Sequence, residues 1–367
     1  MKKYIKEAVK GLQKSGNTKI VLTLKSKNDY KKNTIRLLYN KLILKLQKKV
    51  VPWRFKNLVL GTTGMNIGKD ACIPHDIYFD SYFPELIYLE KGCIIGGESN
   101  ICTHQIKGKK LVLGKCILKE RTLLGGLSAL QPGSIINRNS ILNFFSELDK
   151  EIPEGELWGG MPAKLIKKFS KEEIDKYFRP SNRRYREYYK EFKKEVKAFM
   201  KDPSRNFFKI HYNGKRLNAG NDWWRARNIF RIVYNGIIIE ITRLLPPCFL
   251  KTLLFRMVGM KIGKNCRIGK GTLFDHIYCD TVTLEDNVII DDHCYFDGHE
   301  YTISQTIFGK TLLKKGVHIK HHSYVRIGTT IGENSVIEPH SMAQREIPAN
   351  EVWGGMPVAE FIRKRKK

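Results

Sequence analysis

The chain has 367 residues, of which 66 are Lys or Arg and 36 are Asp or Glu, giving a formal net charge of +30. Hydrophobic residues make up 42% of it and charged residues 28%, which is typical of globular proteins and excludes a disordered chain. No apolar run approaches the ~20 residues that cross a bilayer, and charges occupy the start, where a secretory signal needs an apolar stretch. Eight scattered cysteines without a CxxC pair indicate reduced thiols in a cytoplasmic protein, not a disulfide framework or a zinc finger.

The first predicted elements are a basic segment over 1–33 and an amphipathic helix that ends before Pro52. Residues 1–50 hold 15 Lys or Arg and two acidic residues, a charge that attracts polyanions unless it only reflects a compositional bias toward Lys. The apolar face of the helix is formed by Ile35, Leu38, Tyr39, Leu42 and Leu46. Such a helix is typical of a cap over the open end of a repeat core, or of a helix lying in an anionic membrane interface. One helix can do both.

A six-residue rhythm follows the helix. In the first half of the chain aliphatic residues recur at Leu89, Ile95, Ile101, Leu118, Leu124, Leu130, Ile136 and Leu142. Small residues follow four places later at Thr122, Ser128, Ser134 and Ser140. A period of six fits neither a helix nor a flat strand. It predicts a parallel β-coil of triangular section, with the aliphatic residue inward and the small residue at the corner, whose stacked turns share one core.

The same pattern is repeated 195 positions later without a gap. Gly64 aligns with Gly259, Trp158 with Trp353, and His104 with His299. We therefore predict four segments along the chain: a basic N-terminal segment 1–33, a first β-helix module with its leading helix 34–168, a basic helical linker 169–228 and a second module with its leading helix 229–367. The linker combines basic and aromatic residues as some nucleic-acid binders do, but no DNA or RNA motif accompanies them, so nucleic acid is not an expected partner.

The hexads and the two Gly-Gly-Met-Pro endings together resemble the hexapeptide-repeat acyltransferases over about two thirds of the chain. The resemblance implies a mainly β fold with two left-handed parallel β-helices in tandem, each with flanking α-helices. It also implies transfer of an acetyl or other acyl group from acyl-CoA. Members of this family usually form trimers with the active site between neighbouring coils, so a homo-oligomer is expected.

The rhythm breaks once in each copy, after Ile101 and after Phe296, and a histidine follows each break. The resemblance implies that His104 and His299 are general bases that take a proton from an acceptor hydroxyl or amine. Imidazole suits this chemistry because its unperturbed pKa of ~6.5 lets it accept a proton at neutral pH.

A general base needs an acidic partner that orients it. Only three acidic pairs near the histidines are shared by the copies, and they are Asp80 with Asp275, Glu85 with Asp280, and Glu90 with Glu285. Asp80 and Asp275 are preferred because each follows a Phe, and because the resemblance implies an acidic residue roughly this far upstream of the histidine. Glu300 beside His299 ranks lower, since Gln105 stands at that place in the first copy.

The resemblance further implies that the pantetheine arm of acetyl-CoA lies along the coil. The candidate cofactor-binding residues are Gly125, Gly126, Ser128, Gly159, Gly160, Lys164, Gly354 and Gly355. Glycine allows close approach of a ligand, but it also simply makes turns. A lysine contact is not expected in the second copy, where Val358, Ala359 and Glu360 replace the Ala-Lys of the first ending.

No metal is expected. Some left-handed β-helix proteins are zinc carbonic anhydrases with histidines five positions apart, but Arg326 follows His321 at that spacing and cannot bind zinc.

The sequence thus predicts an O-acetyltransferase that acts on a sugar of a cell-surface glycoconjugate, in the cytoplasm or peripherally on the inner face of the membrane. Two alternatives stay open: an amine acceptor, as in tandem modules at the ends of some peptide synthetases, and a non-enzymatic, basic, membrane-associated scaffold on a degenerate β-helix.

Overall fold

The computed structural model describes residues 1–26, 28–178, 185–211, 219–355 and 363–364. The chain divides into two compact units. The first takes the described residues of Met1–Arg183, Tyr212–Asn221 and Thr302–Ser304, and the second takes those of Arg184–His211, Asp222–Tyr301 and Gln305–Lys367.

The described residues of the first unit form four α-helices and all the strands of the first half of the chain. The helices are α1 (Lys3–Lys14), α2 (Thr34–Gln47), α3 (Arg54–Gly61) and α4 (Lys171–Phe178), with a short 3-10 helix at Pro84–Leu86. The strands are β1 (Lys19–Thr23), β2 (Asn66–Ile67), β3 (Tyr78–Phe79), β4 (Ile87–Leu89), β5 (Ile94–Ile95), β6 (Asn100–Ile101), β7 (His104–Lys107), β8 (Lys110–Gly114), β9 (Cys116–Leu118), β10 (Leu123–Leu124), β11 (Ala129–Leu130), β12 (Ile135–Ile136), β13 (Ile141–Leu142), β14 (Glu147–Leu148), β15 (Glu151–Ile152), β16 (Glu156–Gly159) and β17 (Lys164–Lys168).

The second unit repeats this organisation. Its helices are α5 (Tyr185–Lys201), α6 (Trp223–Ala226), α7 (Ile229–Leu244) and α8 (Phe249–Met257), with a 3-10 helix at Cys279–Thr281. A further 3-10 helix, Ala219–Asp222, begins in the first unit and ends at the first residue of the second. Its strands are β18 (Phe207–His211), β19 (Lys261–Ile262), β20 (Arg267–Ile268), β21 (Leu273–Phe274), β22 (Val282–Leu284), β23 (Ile289–Ile290), β24 (Tyr295–Phe296), β25 (His299–Tyr301), β26 (Gln305–Gly309), β27 (Thr311–Leu313), β28 (His318–Ile319), β29 (Tyr324–Val325), β30 (Thr330–Ile331), β31 (Val336–Ile337), β32 (Met342–Ala343), β33 (Glu346–Ile347), β34 (Glu351–Trp353) and β35 (Arg363–Lys364).

The coils of each unit stack as three parallel sheets. In the first unit these sheets have five, five and four strands, and in the second they have five, six and four, counting the antiparallel strands β17 and β35 at their ends. One turn takes 18 residues, or three hexads, because Leu118 pairs with Ile136 and Leu124 with Leu142. The predicted fold class, two left-handed parallel β-helices in tandem with flanking α-helices, is confirmed.

The hexads form the core as predicted. Every inward aliphatic residue from Leu118 to Leu142 is fully buried, and so are the small residues at the corners. The corner hydroxyls bond to carbonyl oxygens of the next turn: Ser134 Oγ donates to Leu148 O at 2.6 Å, and Ser335 Oγ donates to Pro348 O at 2.6 Å. Because a buried hydroxyl without a partner is costly, these bonds explain why Ser and Thr fit the corners.

A three-stranded antiparallel sheet stands beside the coil in each unit. In the first unit β1 pairs with β8, and β8 with β7; in the second, β18 pairs with β26, and β26 with β25. The hairpins β7–β8 and β25–β26 are the interruptions of the hexad rhythm. The third strand comes from outside the coil, from the N-terminal segment or from the region before the second module.

This sheet uses residues from both basic segments of the chain. Segment 1–33 supplies α1 and β1 to the first unit, and segment 169–228 supplies α5 and β18 to the second unit. The ungapped comparison misses this part of the duplication for a simple reason. Lys19 pairs with Gly114 and Phe207 with Gly309, so the outer strands are 188 positions apart instead of 195.

In each unit the leading helices cap the first turn of the coil. However, α2 does not do so with the apolar face that the sequence indicated. Leu44 of α2 and Leu60 of α3 belong to the first core, and Ile239 of α7 and Phe255 of α8 belong to the second. The apolar face of α2 predicted from the sequence is exposed instead. None of the described helices is long and apolar enough to span a membrane.

Candidate active sites on two hairpins

The stacking of coils brings each histidine to its aspartate. Asp80 directly follows β3, and Asp275 directly follows β21. These strands pair in parallel with β6 and β24 of the next turn, which end three residues before His104 and His299. A separation of 24 positions along the chain therefore becomes a contact, since adjacent turns place the end of one strand above the end of the other.

In both units the histidine and the aspartate form a hydrogen-bonded dyad. Nδ1 of His104 bonds to Oδ2 of Asp80, and Nδ1 of His299 bonds to Oδ2 of Asp275. The histidine side chains are 18% and 14% exposed, whereas the aspartates are almost completely covered. Because Nδ1 faces the carboxylate, Nε2 is the ring nitrogen available to accept a proton.

Both aspartates are held as carboxylates. Burial alone would raise the pKa of Asp80, but the hydrogen bond and charge of His104, with further bonds from Tyr82 and Thr103, outweigh it and hold the pKa below its ordinary value. The pKa of Asp275 is also lowered: burial opposes the shift, while the charge and the hydrogen bond of His299 dominate it. An ionised carboxylate accepts the Nδ1 proton and so fixes the tautomer and the orientation of the ring.

Backbone and hydroxyl donors fix the carboxylates in turn. Asp80 accepts from the Tyr82 N–H at 2.8 Å and from the Thr103 hydroxyl at 2.8 Å. Asp275 accepts from the Ile277 N–H at 2.7 Å and from the Gly298 N–H at 3.1 Å. Sequence reasoning missed these supports.

The other acidic candidates are engaged elsewhere. Their partners are Lys32 for Glu85, Arg227 for Asp280, the Glu120 N–H for Glu90, the Lys315 N–H for Glu285, and Arg326 for Glu300. The structure therefore brings only Asp80 and Asp275, of these described residues, into hydrogen-bond contact with the two histidine rings.

Aromatic rings line both histidines, and the lining differs. His104 has the rings of Tyr82 and Phe83 at 5.3 Å and that of Tyr30, from the N-terminal segment, at 6.0 Å. In the second unit the neighbours of His299 are Tyr301 at 4.6 Å, Tyr278 at 5.5 Å and Phe308 at 6.5 Å. Tyr82 and Phe83 could have been suspected because they closely follow Asp80, but nothing in the sequence pointed to Tyr30.

Beside the first dyad, two neutral amide side chains form a chain of hydrogen bonds, and this chain ends on a carboxylate. Gln105 donates to Gln131, which donates to Glu147 Oε1 at 2.5 Å. Gln105 directly follows His104 on β7, and Gln131 lies on the neighbouring coil. The network thus ties the hairpin to the coil.

Beside the second dyad the equivalent positions carry charges. Arg326 occupies the place of Gln131, and Glu300 the place of Gln105, and they form an ion pair at 2.5 Å. Next to them the Tyr324 hydroxyl donates to Asp297, which is partly buried. Burial, followed by the nearby charge of Glu300, raises the pKa of Asp297 well above its ordinary value.

The predicted cofactor-binding glycines have structural reasons to be glycine. A Cβ on Gly125 would stand 2.4 Å from the backbone of Phe144 in the next turn, and one on Gly159 would stand 2.8 Å from Ile166. Gly160 and Gly355 have positive φ angles of 96° and 107°, which favour glycine. The remaining two, Gly126 and Gly354, are confined less tightly, with the nearest atoms at 3.0 Å and 3.1 Å from an added Cβ.

Ser128 is the predicted cofactor residue that the structure contradicts. It is 1% exposed, and its hydroxyl donates to Asn143 O and accepts from the Ser146 N–H, so it supports a corner and offers no surface to a ligand. Lys164, in contrast, is exposed at the start of β17, paired in register with Gly159. The departure at Val358, Ala359 and Glu360 lies outside the described residues.

In the described parts of the chain, no group of three or more His, Cys, Asp or Glu side chains could hold a metal ion. Two surface clefts of the second unit, one beside α8 and one between α5 and α6, include none of the predicted site residues among their lining.

The chain is similar to several known proteins. The chain is 25% identical over 146 residues to a protein of Bacillus subtilis (strain 168) named "Putative acetyltransferase YvoF", a match that covers 39% of this chain and 85% of that protein. No protein-family model matches. The chain is similar to hexapeptide-repeat acetyltransferases. The resemblance predicted from the hexads is thereby confirmed.

Two further matches are more limited. The chain is 31% identical over 115 residues to the delta-poly-L-ornithine synthetase of Acinetobacter baumannii (strain AB307-0294), covering 30% of this chain but only 8% of the synthetase. Among hexapeptide-repeat acetyltransferases of known structure, VCA0836 of Vibrio cholerae in complex with acetyl coenzyme A has 12% identity and a TM-score of 0.33, covering 37% of this chain and 88% of that one.

Proposed function

We propose that the chain is an acyl-CoA-dependent O-acetyltransferase in which His104 and His299 are general bases. The carrying observation is the dyad itself: a partly exposed imidazole whose Nδ1 is bonded to a buried carboxylate, built twice at equivalent positions. In the reaction Nε2 takes the proton of the acceptor hydroxyl while the hydroxyl oxygen attacks the thioester carbon. The carbon–sulfur bond breaks, and the thiolate leaves as the free thiol after receiving that proton.

The aspartates are positioning residues in this scheme. Asp80 and Asp275 keep Nε2 free by holding the proton on Nδ1, and they stabilise the imidazolium that forms when the base is protonated. Their lowered pKa values support the role, because an ionised carboxylate accepts the Nδ1 hydrogen bond more strongly than a neutral carboxyl does and carries the charge that stabilises the imidazolium.

The acyl donor is acetyl-CoA, as in the family that the chain resembles. Lys164 fits the phosphate end of this donor, because it is an exposed cation beside the chain reversal at Gly159 and Gly160. We expect a homo-oligomer with the active site between neighbouring coils, because this arrangement is what the family resemblance implies.

A sugar hydroxyl of a glycoconjugate is the first candidate acceptor, as the family resemblance implies. An amine is the second candidate, and the match to delta-poly-L-ornithine synthetase favours it. The same dyad serves both, since Nε2 can remove a proton from either nucleophile.

The test is release of free thiol from acetyl-CoA by the purified full chain, with panels of sugars and of amines. The double variant His104→Ala/His299→Ala should lose activity by about 10²- to 10⁴-fold, the usual contribution of a general base. His318→Ala is the matched control, because His318 also bonds to an aspartate, Asp291 at 3.0 Å, but lies away from the hairpins. An unchanged rate in the double variant would refute the proposal.

A further inference from the structure

The helices that cap each coil have, on the side away from the coil, an apolar face that is exposed to solvent. On α2 this face consists of Ile35, Leu38, Tyr39, Leu42 and Leu46, at helical spacings of three and four, and Ile35 is 77% exposed. We propose that α2–α3 and α7–α8 are interfacial helices that bind the surface of an anionic lipid bilayer.

The polarity of α2 is reversed relative to a helix of a water-soluble domain. Its fully buried residues are Asn40, Leu44 and Gln47, of which two are polar, and Ile43 packs against the core from a partly buried position. Their amides bond to backbone carbonyls, Asn40 to Ser81 O at 3.0 Å and Gln47 to Ile77 O at 2.7 Å. A helix that only capped the coil would direct its apolar face to the core and its polar face to water.

The second unit repeats the exposed face with different residues. Phe230, Val233, Ile237, Ile241 and Leu244 of α7 are all exposed, and Phe230 is 82% exposed. The first four stand 195 positions after Ile35, Leu38, Leu42 and Leu46. The side chain has changed at all four positions, and Ile has replaced Leu at two of them, yet each remains large, apolar and exposed.

The short second helices continue the face. Phe55 and Leu58 of α3 are exposed, and so are their equivalents Leu250 and Leu253 of α8. The one lysine between Phe55 and Leu58 turns inward: Lys56 donates to three backbone carbonyls, and Lys251 does the same to two in the second unit. A cation that could have interrupted the apolar surface is thus buried in both copies.

Charge identifies the occupant. Throughout α2, α3, α7 and α8, which are fully described, Glu240 is the only acidic residue, and it is paired with His276 and Arg243. Exposed Lys41 and Lys45 flank the apolar face of α2. Apolar residues with flanking cations match a bilayer with anionic headgroups. A second copy of this chain would bring cations against cations, which disfavours self-association through the same face.

The test is co-sedimentation of the full chain with lipid vesicles at low salt. Wild type should bind vesicles containing phosphatidylglycerol and bind those of phosphatidylcholine alone at least tenfold more weakly. Leu42→Glu/Ile237→Glu, at equivalent positions of the two faces, should weaken binding to the anionic vesicles at least tenfold. The matched control is Val21→Glu/Ile289→Glu, which adds the same two charges at exposed apolar positions on β1 and β23.

Three outcomes would overturn the proposal. They are no binding by wild type, equal loss in the control variant, and a wild-type oligomer in analytical ultracentrifugation that Leu42→Glu/Ile237→Glu dissociates without any vesicle binding. The last would assign the face to a second copy. Thiol release with a soluble acceptor should be unchanged in Leu42→Glu/Ile237→Glu, so failure here is distinguishable from failure of the proposed function.

Discussion

The two histidine sites share a dyad and differ in almost everything around it. In both, the aspartate stands at the end of one coil strand and the histidine just after the strand stacked on it, so the register of the coil fixes their contact. The rings and polar groups beside them come from the hairpin, from the next turn and from segments outside the coil. Duplication has therefore preserved the part of the site that the fold imposes, while the lining has diverged.

The difference is largely electrostatic. The first site has an amide at Gln105 where the second has Glu300, and another at Gln131 where the second has Arg326. The second site also has a partly buried carboxyl at Asp297, where the first has Cys102. An acceptor bound beside His104 would contact amide groups, and one beside His299 would meet an ion pair. We expect the two sites to differ in acceptor preference and not in the proton-transfer step.

The largest effect should come from the single histidine variants. His104→Ala and His299→Ala should each slow their own site by about 10²- to 10⁴-fold, since a general base contributes that much. Each variant should keep the activity of the other site. Thiol release measured over a panel of acceptors should therefore give two different residual profiles.

The comparison between the sites fails if the two single variants retain the same acceptor profile. If only one of them lowers activity and does so as fully as the double variant, the other dyad does not contribute to turnover under those conditions. In either case His318→Ala should retain the full wild-type profile.

A smaller effect should separate the two polar networks. Glu300→Ala leaves the guanidinium of Arg326 without its carboxylate and should lower the free energy of unfolding by about 1.5–3 kcal/mol, the range for hydrogen bonds to charged groups. Gln105→Ala, at the equivalent position, removes a bond between two neutral amides and should cost about 0.5–1.5 kcal/mol. Urea unfolding of both variants measures the difference. Equal losses would show that the ion pair has no greater net strength than the amide contact.

The coil was predictable because it follows from a period, since six-residue spacing predicts the inward rows. The choice of Asp80 and Asp275 as partners of the histidines depended on their place after a Phe and on the family resemblance, and the structure brings them into contact with the rings. The cofactor glycines were a weaker prediction, since a residue type chosen for close backbone approach, as at Gly125, carries no information about a ligand. Ser128 illustrates the same ambiguity, because a corner hydroxyl and a ligand-binding hydroxyl look alike in sequence.

The accessory sheet was not predictable from the repeat. β1 and β18 pair with the hairpins through long-range contacts, and their offset of 188 positions hides them from a comparison at 195. Tyr30, which lines His104, belongs to the same hidden segment. The outward face of α2 was visible as an apolar stripe, but periodicity alone cannot tell which side of a helix meets the core. Here the core side is marked by Asn40 and Gln47, whose hydrogen bonds only the structure reveals.

The smallest effect should appear as a difference in the pH dependence of stability. Asp297 is partly buried near Glu300 and has a raised pKa, so the folded state binds its proton more tightly than the unfolded state does. The stability that this group contributes is present below the unfolded pKa of ~3.9 and is lost as the pH rises through the folded pKa. Asp275 has the opposite sign, because its lowered pKa means that its contribution is lost only as the pH falls below ~3.9.

Asp297→Asn, which keeps an acceptor for the Tyr324 hydroxyl, should therefore unfold at a higher temperature than wild type at pH 8 and lose that advantage at pH 4. Thermal unfolding at the two pH values measures this, with Cys102→Ala at the equivalent position of the first unit as the control that should show no such pH-dependent gain. If the difference in melting temperature between Asp297→Asn and wild type is the same at pH 4 and pH 8, Asp297 ionises as easily in the folded chain as in the unfolded one.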